Sequence, residues 1–233
     1  MYNIHKNPIG IYEKALPNSF TWEEKFMAAK KAGFDYMEIS IDESDERLAR
    51  LNWTDEEIET FRSVMRFTGI SIPTMCLSGH RKYPFGSKDP KIRARAIEIM
   101  DTEFVGTIVR AMHYLKEIPS PYFKIYPDMG NLSNFSKDVG GEFELGLSET
   151  VAIHVKETKP GIFKEVPFGE GEVRFKEIFW KLKELNYQGM FLIEMWADNS
   201  TCQSIEQATK KIAEAYQFVI EKMQEAGMEV LGE

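Results

Sequence analysis

The chain has 233 residues, of which 43% are hydrophobic and 28% charged, as expected for a globular protein of one domain. Its net charge of −8 argues against a nucleic-acid partner, because binding to a phosphate backbone needs a basic face. No apolar run reaches the roughly 18 residues that a membrane span requires, and no signal peptide is evident. We therefore expect a cytoplasmic protein in which Cys76 and Cys202 are free thiols.

Short apolar strands alternate with helices in the first part of the chain. Thr21-Trp-Glu-Glu24 and Thr54-Asp-Glu-Glu57 are capping boxes, and each predicts a helix that ends at a glycine, Gly33 or Gly69. Three strands are predicted around these helices: Ile9–Tyr12, Tyr36–Ile41 and Ile70–Leu77.

The same alternation continues in the second part. Asp89-Pro90 begins a helix, with Asp89 as its N-cap, and the helical propensity extends from Lys91 to Met100. The other predicted helices are Val139–Leu147, Phe175–Leu185 and one that is capped by Ser204-Ile-Glu-Gln207 and ends at Gly227. The other predicted strands are Phe123–Tyr126, Val151–Val155 and Met190–Met195. A strand and a helix recurring at roughly 30-residue spacing predict βα units and a parallel sheet, within a single domain of residues 1–233.

Polar side chains lie near the C-terminal ends of the predicted strands, where parallel α/β sheets bind ligands. One such carboxylate could be a helix N-cap, and one such histidine could be an ordinary buried residue. Asp128, His154 and Glu194 lie on successive strands, however, and would converge on one point. Carboxylate and imidazole ligands together suit Mn²⁺, Mg²⁺, Co²⁺ or Zn²⁺. The full set of these side chains is Glu13, Glu38, His80, Asp128, His154 and Glu194.

Six motifs spread over nearly the whole chain carry a resemblance to a known family. They are Gly10-Ile-Tyr-Glu-Lys-Ala-Leu16, Met75-Cys-Leu-Ser78, Tyr126-Pro-Asp-Met-Gly-Asn-Leu-Ser133, His154-Val-Lys-Glu-Thr-Lys-Pro-Gly161, Val166-Pro-Phe-Gly-Glu-Gly171 and Leu192-Ile-Glu-Met-Trp196. Together they resemble the L-ribulose-5-phosphate 3-epimerase family, also called hexulose-6-phosphate isomerases, among the xylose-isomerase-like (β/α)₈ barrels. The resemblance implies an α/β fold of the TIM-barrel type. It also implies a divalent metal held by Glu, Asp, His and Glu, of which the last three fall on Asp128, His154 and Glu194.

The first metal ligand of the family would fall on Glu98, in Ile97-Glu-Ile-Met-Asp101. The preceding residues, Lys91–Ala96, instead resemble the family's helix after the third strand, so Glu98 is either a ligand on a short strand or an exposed helical residue. We interpret this as an internal deletion of roughly 55 to 60 residues near Met100, which leaves six clear strands where a barrel of this type needs eight. We expect an incomplete barrel of six to seven βα units, with its gap before the Phe123 strand and partly covered by the helical stretch Lys91–Ile118.

The resemblance also implies a reaction, the C3 epimerisation of L-ribulose 5-phosphate to L-xylulose 5-phosphate. A metal would act as a Lewis acid, while Glu98 and Glu194 would take and return the proton on opposite faces of the sugar. The remaining candidates could each equally be solvated loop residues. They are Lys14, Glu38 and His80 for the sugar hydroxyls, and Lys156, Lys159 and Lys164 for the phosphate.

The deletion leaves a second hypothesis open. The chain could be an internally truncated member of the family that binds metal or sugar phosphate but no longer catalyses the reaction. Exposed parallel strand edges at the gap would favour pairing with another chain, so a homodimer could shield the opening.

Overall fold

In the part of the chain that the structure describes, five parallel strands form a central sheet. The structure, a computed structural model, describes residues 7–78, 88–92, 107–117, 121, 124–197 and 204–228. The strands are β1 (Ile9–Tyr12), β2 (Tyr36–Ile41), β3 (Ser71–Leu77), β4 (Ala152–Val155) and β5 (Met190–Ile193). Their order is β3-β2-β1-β5-β4, so the sheet is a curled part of a barrel, as the sequence predicts.

Helices pack on the outer face of the sheet. Capping boxes at Thr21, Thr54 and Ser204 begin three of them, and left-handed glycines at Gly33 and Gly69 end two, which confirms these sequence predictions. The helices are α1 (Trp22–Ala32), α2 (Asp45–Leu48), α3 (Asp55–Thr68), α4 (Ile108–Glu117), α5 (Met129–Phe135), α6 (Val139–Gly146), α7 (Phe175–Glu184) and α8 (Ile205–Glu225). Residues 90–92 are also helical, and Asp89 accepts a hydrogen bond from the Lys91 N–H, as an N-cap does.

Alternate strand residues face the helices or the interior of the curled sheet. The main core lies between sheet and helices and includes Ile9, Ile11, Met37, Ile153, Val155, Phe191 and Ile193. The inner face carries a smaller cluster in which Tyr12, Tyr36 and Leu192 pack with Cys76, Tyr126 and Met190. This alternation directs Glu38 and His154 inward, because each lies directly next to a strand residue that faces the helices, Met37 beside Glu38 and Ile153 beside His154.

The sequence predicts a gap in the barrel between the third strand and the Phe123 strand. The two edges of the described sheet are formed by these same two segments. Within the described ranges, β3 pairs only with β2, and the segment around Ile125 lies beside β4 at the other edge. Pro73 lies in β3 where its register with β2 shifts, as expected for a proline confined to an edge strand or a bulge.

The predicted strand Phe123–Tyr126 is only partly correct. Ile125 forms an isolated parallel bridge with Thr150, and Asp128 forms another with His154. Pro127 lies between these two bridges and has no N–H to donate, so a continuous ladder cannot form there. Its carbonyl still accepts a hydrogen bond of 2.8 Å from the His154 N–H, which fixes Asp128 beside β4. Two predicted site residues, His80 and Glu98, lie outside the described residues, as does most of the stretch Lys91–Ile118.

Candidate metal and substrate site

Three predicted ligands meet at the C-terminal edge of the sheet. Asp128, His154 and Glu194 each offer one donor atom, and the three atoms lie within 4.8 Å of one another. His154 Nδ1 is 3.0 Å from Glu194 Oε2 and 3.8 Å from Asp128 Oδ2. His154 is part of β4, Glu194 directly follows β5, and Asp128 bridges to His154, so neighbouring backbone segments hold all three side chains.

The two carboxylate oxygens of Asp128 make different contacts. Oδ1 accepts a hydrogen bond of 2.8 Å from the Asn131 N–H and thereby caps α5. Oδ2 is turned toward His154 and has no hydrogen-bond partner among the described residues, although it is buried. The N-cap and metal-ligand interpretations of Asp128 are therefore compatible, because each uses a different oxygen.

The site concentrates charge in the protein interior. Burial by itself would lower the pKa of His154, but the carboxylates of Asp128, Glu194 and Glu38 raise it well above its ordinary value. Burial would raise the pKa of Glu194, yet its contacts with His154, Lys156 and Asp128 lower it. The site therefore favours an ionised Glu194 beside a positive charge.

The ammonium group of Lys156 supplies a second positive charge at this point. It lies 2.8 Å from Asp128 Oδ2, off the direction of a good hydrogen bond, and donates one of 3.3 Å to Glu194 Oε2. The carboxylates raise the pKa of Lys156 against the opposing effect of burial. Lys156 was expected in the phosphate-binding loop, but its ammonium is buried at the triad.

The donor set fits a divalent cation. Bonds of roughly 2.0–2.2 Å allow two ligand atoms of one ion to lie up to about 4.4 Å apart, and the 3.0 and 3.8 Å separations around His154 Nδ1 satisfy this. Asp128 Oδ2 has no hydrogen-bond partner among the described residues, and the ammonium of Lys156 lies 2.8 Å from it, which indicates that these carboxylates favour a cation. Asp128, His154 and Glu194 would hold such an ion.

Glu38 occupies a different position from the one expected. It is fully buried in β2, and its Oε1 lies 3.4 Å from His154 Nε2, on the side of the imidazole away from Asp128 and Glu194. The expectation that Glu38 contacts sugar hydroxyls does not match this position, because the imidazole separates it from the triad. Recognising that Glu38 is in the middle of its strand, not at its end, would have suggested this.

Lys14 takes part in an ion-pair network at the ends of β1 and β2. Its Nζ is 2.6 Å from Asp42 Oδ2, and Asp42 also contacts Arg47 at 3.3 Å. Glu13 is fully buried and accepts hydrogen bonds from Arg47 and Arg50. Glu13 is therefore held in a structural ion-pair network, while Lys14 retains 20% side-chain exposure.

The loop lysines Lys159 and Lys164 lie in different environments. Lys164 is exposed and its Nζ lies 5.6 Å from the centre of the Trp196 ring, which is also 5.7 Å from Lys156 Nζ. Lys159 lines a surface groove of about 980 Å³ with residues of α6 and α7, among them Lys181. Trp196 therefore links Lys164, but not Lys159, to the triad.

Sequence reasoning missed two aromatic residues of the site, Tyr126 and Trp196. The Tyr126 ring packs edge-on against the His154 imidazole, with 4.2 Å between ring centres. Each aromatic residue is two positions from a predicted ligand, Asp128 or Glu194, and so has the same inward orientation in an extended chain. That spacing was the signal in the sequence that could have found both.

Comparison with known proteins identifies a matching family. The model of the family described as "Xylose isomerase-like TIM barrel" matches residues 26–105 and 95–222. The two matched segments meet at residues 95–105, where the sequence places the deletion.

Two curated relatives align with almost the whole chain. L-ribulose-5-phosphate 3-epimerase UlaE of Escherichia coli K12 is 36% identical over 279 positions, covering 95% of this chain and 96% of the relative. A Haemophilus influenzae protein provisionally named L-ribulose-5-phosphate 3-epimerase SgbU is 38% identical over 290 positions, covering 97% and 99%. The latter alignment exceeds the 233 residues of this chain by 57 positions, so the relative has at least that many residues without a counterpart.

Solved structures show the same fold. D-psicose 3-epimerase from Clostridium cellulolyticum H10 superimposes with a TM-score of 0.71 at 14% identity, covering 93% of this chain and 99% of that one. A structure of an L-ribulose 3-epimerase gives a TM-score of 0.56 at 14% identity, covering 95% and 97%. Among the described residues, no helix has the length and apolar character needed to cross a membrane. The chain belongs to the xylose isomerase-like TIM barrel family, as a member of its L-ribulose-5-phosphate 3-epimerase branch.

Proposed function

We propose that the protein is a metal-dependent epimerase that inverts C3 of L-ribulose 5-phosphate to give L-xylulose 5-phosphate. The convergence of Asp128, His154 and Glu194 is the observation that carries this proposal, because it supplies a cation site at the ligand-binding edge of the sheet. The names of the curated relatives support the choice of substrate. The family match over residues 26–222 supports the single domain proposed for residues 1–233.

The side chains would divide the work as follows. A bound divalent ion, Mn²⁺, Mg²⁺, Co²⁺ or Zn²⁺, supplies Lewis-acid polarisation of the C2 carbonyl. Glu194, whose lowered pKa keeps it ionised, takes the C3 proton on one face of the sugar. Lys156 lies beside the same carboxylate and can donate to a sugar oxygen that gains negative charge. Return of a proton on the opposite face falls to Glu98, so inversion depends on a residue near the deletion.

We expect the substrate to lie between the triad and the three candidate lysines Lys14, Lys159 and Lys164. We propose Lys164, and with it Lys159, for the phosphate, and Lys14 and His80 for the sugar hydroxyls. The position of Lys164 at the Trp196 ring favours it over Lys159. The free thiol of Cys76 and the net charge of −8 fit a cytoplasmic enzyme with a small substrate and no nucleic-acid partner.

The impaired-enzyme hypothesis stays open because of the deletion. At least 57 alignment positions have no counterpart in this chain, and Glu98 lies near the point where the two family segments meet. A protein that lacks the second proton donor would remove the C3 proton and return it to the same face.

One NMR experiment separates these possibilities. The protein is loaded with Mn²⁺ and incubated with L-ribulose 5-phosphate in D₂O. The metal is removed with a chelator before spectra are recorded, and Glu194→Gln is the control. Deuterium at C3 together with L-xylulose 5-phosphate supports the epimerase. Deuterium at C3 without a new sugar supports an enzyme that lacks the opposite-face donor. Ion binding without any exchange supports the impaired member, and absence of ion binding contradicts the metal site.

A further inference from the structure

Glu38 is a buried carboxylate that the proposed reaction does not use. It is fully buried, and neither of its oxygens has a hydrogen-bond partner among the described residues. An unpaired buried carboxylate is costly, and such a group in a folded protein calls for an explanation. Within the described ranges, the one basic group recorded within 4.0 Å of Glu38 is the His154 imidazole, at 3.4 Å from Nε2.

Further polar groups surround this carboxylate. The hydroxyls of Tyr126 and Thr74 are buried and, like His154 Nε2, lack hydrogen-bond partners in the described part of the chain. The Tyr126 ring packs against the same imidazole that Glu38 contacts. Burial raises the pKa of Tyr126, and the nearby charge of Glu38 raises it further. The same two influences raise the pKa of Cys76 on β3. Four polar groups, from β2, β3 and the Tyr126 segment, therefore lie around the Nε2 side of the imidazole: Glu38, Thr74, Cys76 and Tyr126.

The imidazole has two nitrogens on opposite sides of its ring. Nδ1 faces Asp128 and Glu194, whereas Nε2 faces Glu38. A neutral imidazole can give a lone pair to an ion through only one nitrogen, while the other carries the proton. A carboxylate that accepts this proton in a hydrogen bond fixes the tautomer and ring orientation of a metal-binding histidine and increases its basicity.

We infer that Glu38 is the positioning residue of the metal site, accepting a hydrogen bond from the His154 Nε2–H so that Nδ1 is directed at the cation. The buried hydroxyls of Tyr126 and Thr74 are the further donors that could orient the Glu38 carboxylate in this role, and Thr74 pairs with Glu38 in the sheet. This inference rests on the proposed function, since it assumes that a divalent ion binds at the triad. It replaces the substrate contact expected for Glu38 from the sequence.

The test compares Mn²⁺ binding by isothermal calorimetry for wild type, Glu38→Gln and Glu38→Leu. Glu38→Leu removes the acceptor and should weaken binding roughly 10- to 100-fold, and Glu38→Gln, which keeps one acceptor oxygen, should weaken it less. Glu142→Gln is the matched control, because Glu142 is a buried carboxylate of α6 that accepts a hydrogen bond from the Val109 N–H. Its Mn²⁺ affinity should equal that of the wild type.

A second measurement reports on the histidine itself. In the Zn²⁺-loaded protein, long-range ¹H–¹⁵N spectra of His154 should show a coordinated Nδ1 and a protonated Nε2 in the wild type. In Glu38→Leu the Nε2 proton should lose the shift typical of a strong hydrogen bond. A variant that is destabilised for another reason would not change this resonance in the folded, loaded protein.

The outcomes separate the two proposals. Wild-type affinity in both Glu38 variants, with an unchanged Nε2 resonance, would overturn the positioning role and leave the metal site intact. Failure of the wild type itself to bind any of the ions would overturn the metal site, and the positioning role with it. Should Glu38→Leu not fold, as judged by circular dichroism, the graded effect of Glu38→Gln against Glu142→Gln decides.

Discussion

Asp128 serves the fold and the site at the same time, because one of its oxygens caps α5 and the other faces the triad. This explains why a pattern that usually marks a helix N-cap can also mark a ligand. An Asn at this position could still cap the helix through its side-chain oxygen but would place only a neutral group at the triad. The cap and the ligand can thus be separated by mutation.

His154 is the central residue of the triad, and its removal should abolish ion binding. In His154→Ala the triad loses its nitrogen ligand and keeps only two donor side chains, so we expect no measurable Mn²⁺ binding and no epimerase activity. His113→Ala, a change at an exposed histidine of α4, is the control and should bind Mn²⁺ as the wild type does. Calorimetry and circular dichroism check both variants, and retained ion binding in His154→Ala would argue against this ligand.

The two loop lysines differ in their expected effects on kinetics. Lys164→Ala should raise KM several-fold with a smaller change in kcat, because a phosphate contact away from C3 contributes mainly to substrate binding. Lys159→Ala tests the other phosphate candidate in the same assay, and its position in the groove beside α6 and α7 predicts a smaller effect. Steady-state rates with L-ribulose 5-phosphate measure this, and equal KM values for Lys164→Ala and wild type would remove Lys164 from phosphate binding.

For individual residues, the sequence predicted which residue types would lie at the site better than it predicted where their side chains point. The three proposed ligands, Asp128, His154 and Glu194, could be chosen because each lies near the end of a strand, a property that local pattern reveals. The positions of Lys156 and Glu38 could not be chosen in this way, since they depend on which face of a strand meets which neighbour. That arrangement is set by packing between distant segments, such as Tyr126 against His154.

Individual elements carry their own stabilising contacts, as the end of β2 shows. Burial would raise the pKa of Asp42, but Lys14 and Ser44 lower it below its ordinary value of 3.8. A lowered folded-state pKa contributes stability above the unfolded-state value, and this stability is lost as the pH falls below about 3.8.

Asp42→Asn should therefore destabilise the protein at neutral pH by roughly 1–3 kcal/mol, because Lys14 and Arg47 lose a charged partner. The difference from wild type should shrink as the pH falls below 4, because the Asp42 carboxylate of the unfolded wild type takes up a proton there while that of the folded protein stays ionised. Urea unfolding between pH 7 and pH 3 measures this, with the exposed Asp55→Asn as control. A difference that is constant over this range would contradict the assigned ion pairs.

β1 and β2 approach so closely that only glycine fits at position 10. A Cβ there would lie 2.3 Å from Tyr36 ring atoms, and the Tyr36 hydroxyl is held by a hydrogen bond of 2.7 Å to the Phe191 carbonyl. Gly10→Ala should cost about 1–3 kcal/mol of unfolding free energy. Gly140→Ala in α6, where the nearest atom belongs to the flexible Lys181 side chain, should be near neutral. Chemical denaturation of both variants tests this, and equal stabilities would contradict the tight approach.

Most elements could be predicted because their signals are local. Thr21, Thr54 and Ser204 each begin a helix through a residue three positions further on, and the structure shows all three boxes. Among its described residues, the predicted Phe123–Tyr126 strand reduces to a bridge at Ile125, because Pro127 lacks an N–H and prevents a continuous ladder with the Thr150–His154 segment.

The part of the molecule that the structure describes is a barrel wall with two edges. In the described part of the chain, β3 pairs on one side only, and its Met75 is 51% exposed. Such an edge offers unpaired backbone groups to a second chain. We predict that the protein forms a homodimer through this region.

Met75→Lys should weaken this dimer, since a charge on an edge strand opposes pairing with another strand. Size-exclusion chromatography with light scattering over a range of concentrations measures the change in mass. Phe67→Lys, at an exposed apolar residue near the end of α3, is the control for a general loss of surface hydrophobicity. A wild-type protein that is monomeric at all concentrations, or a dimer unaffected by Met75→Lys, would show that this edge is not the interface.

The capping boxes have a consequence for how such a chain can arise. A helix whose start is encoded within four residues forms independently of how many βα units precede it. Removal of a contiguous segment therefore leaves the helix-start signals on both sides of the deletion intact. The two family segments that meet at residues 95–105 are such flanks. The absent βα units could then be supplied as a separate polypeptide, which would be a form of fragment complementation. The edges that β3 and the Ile125 segment form in the described part of the chain would pair with the strands of that polypeptide.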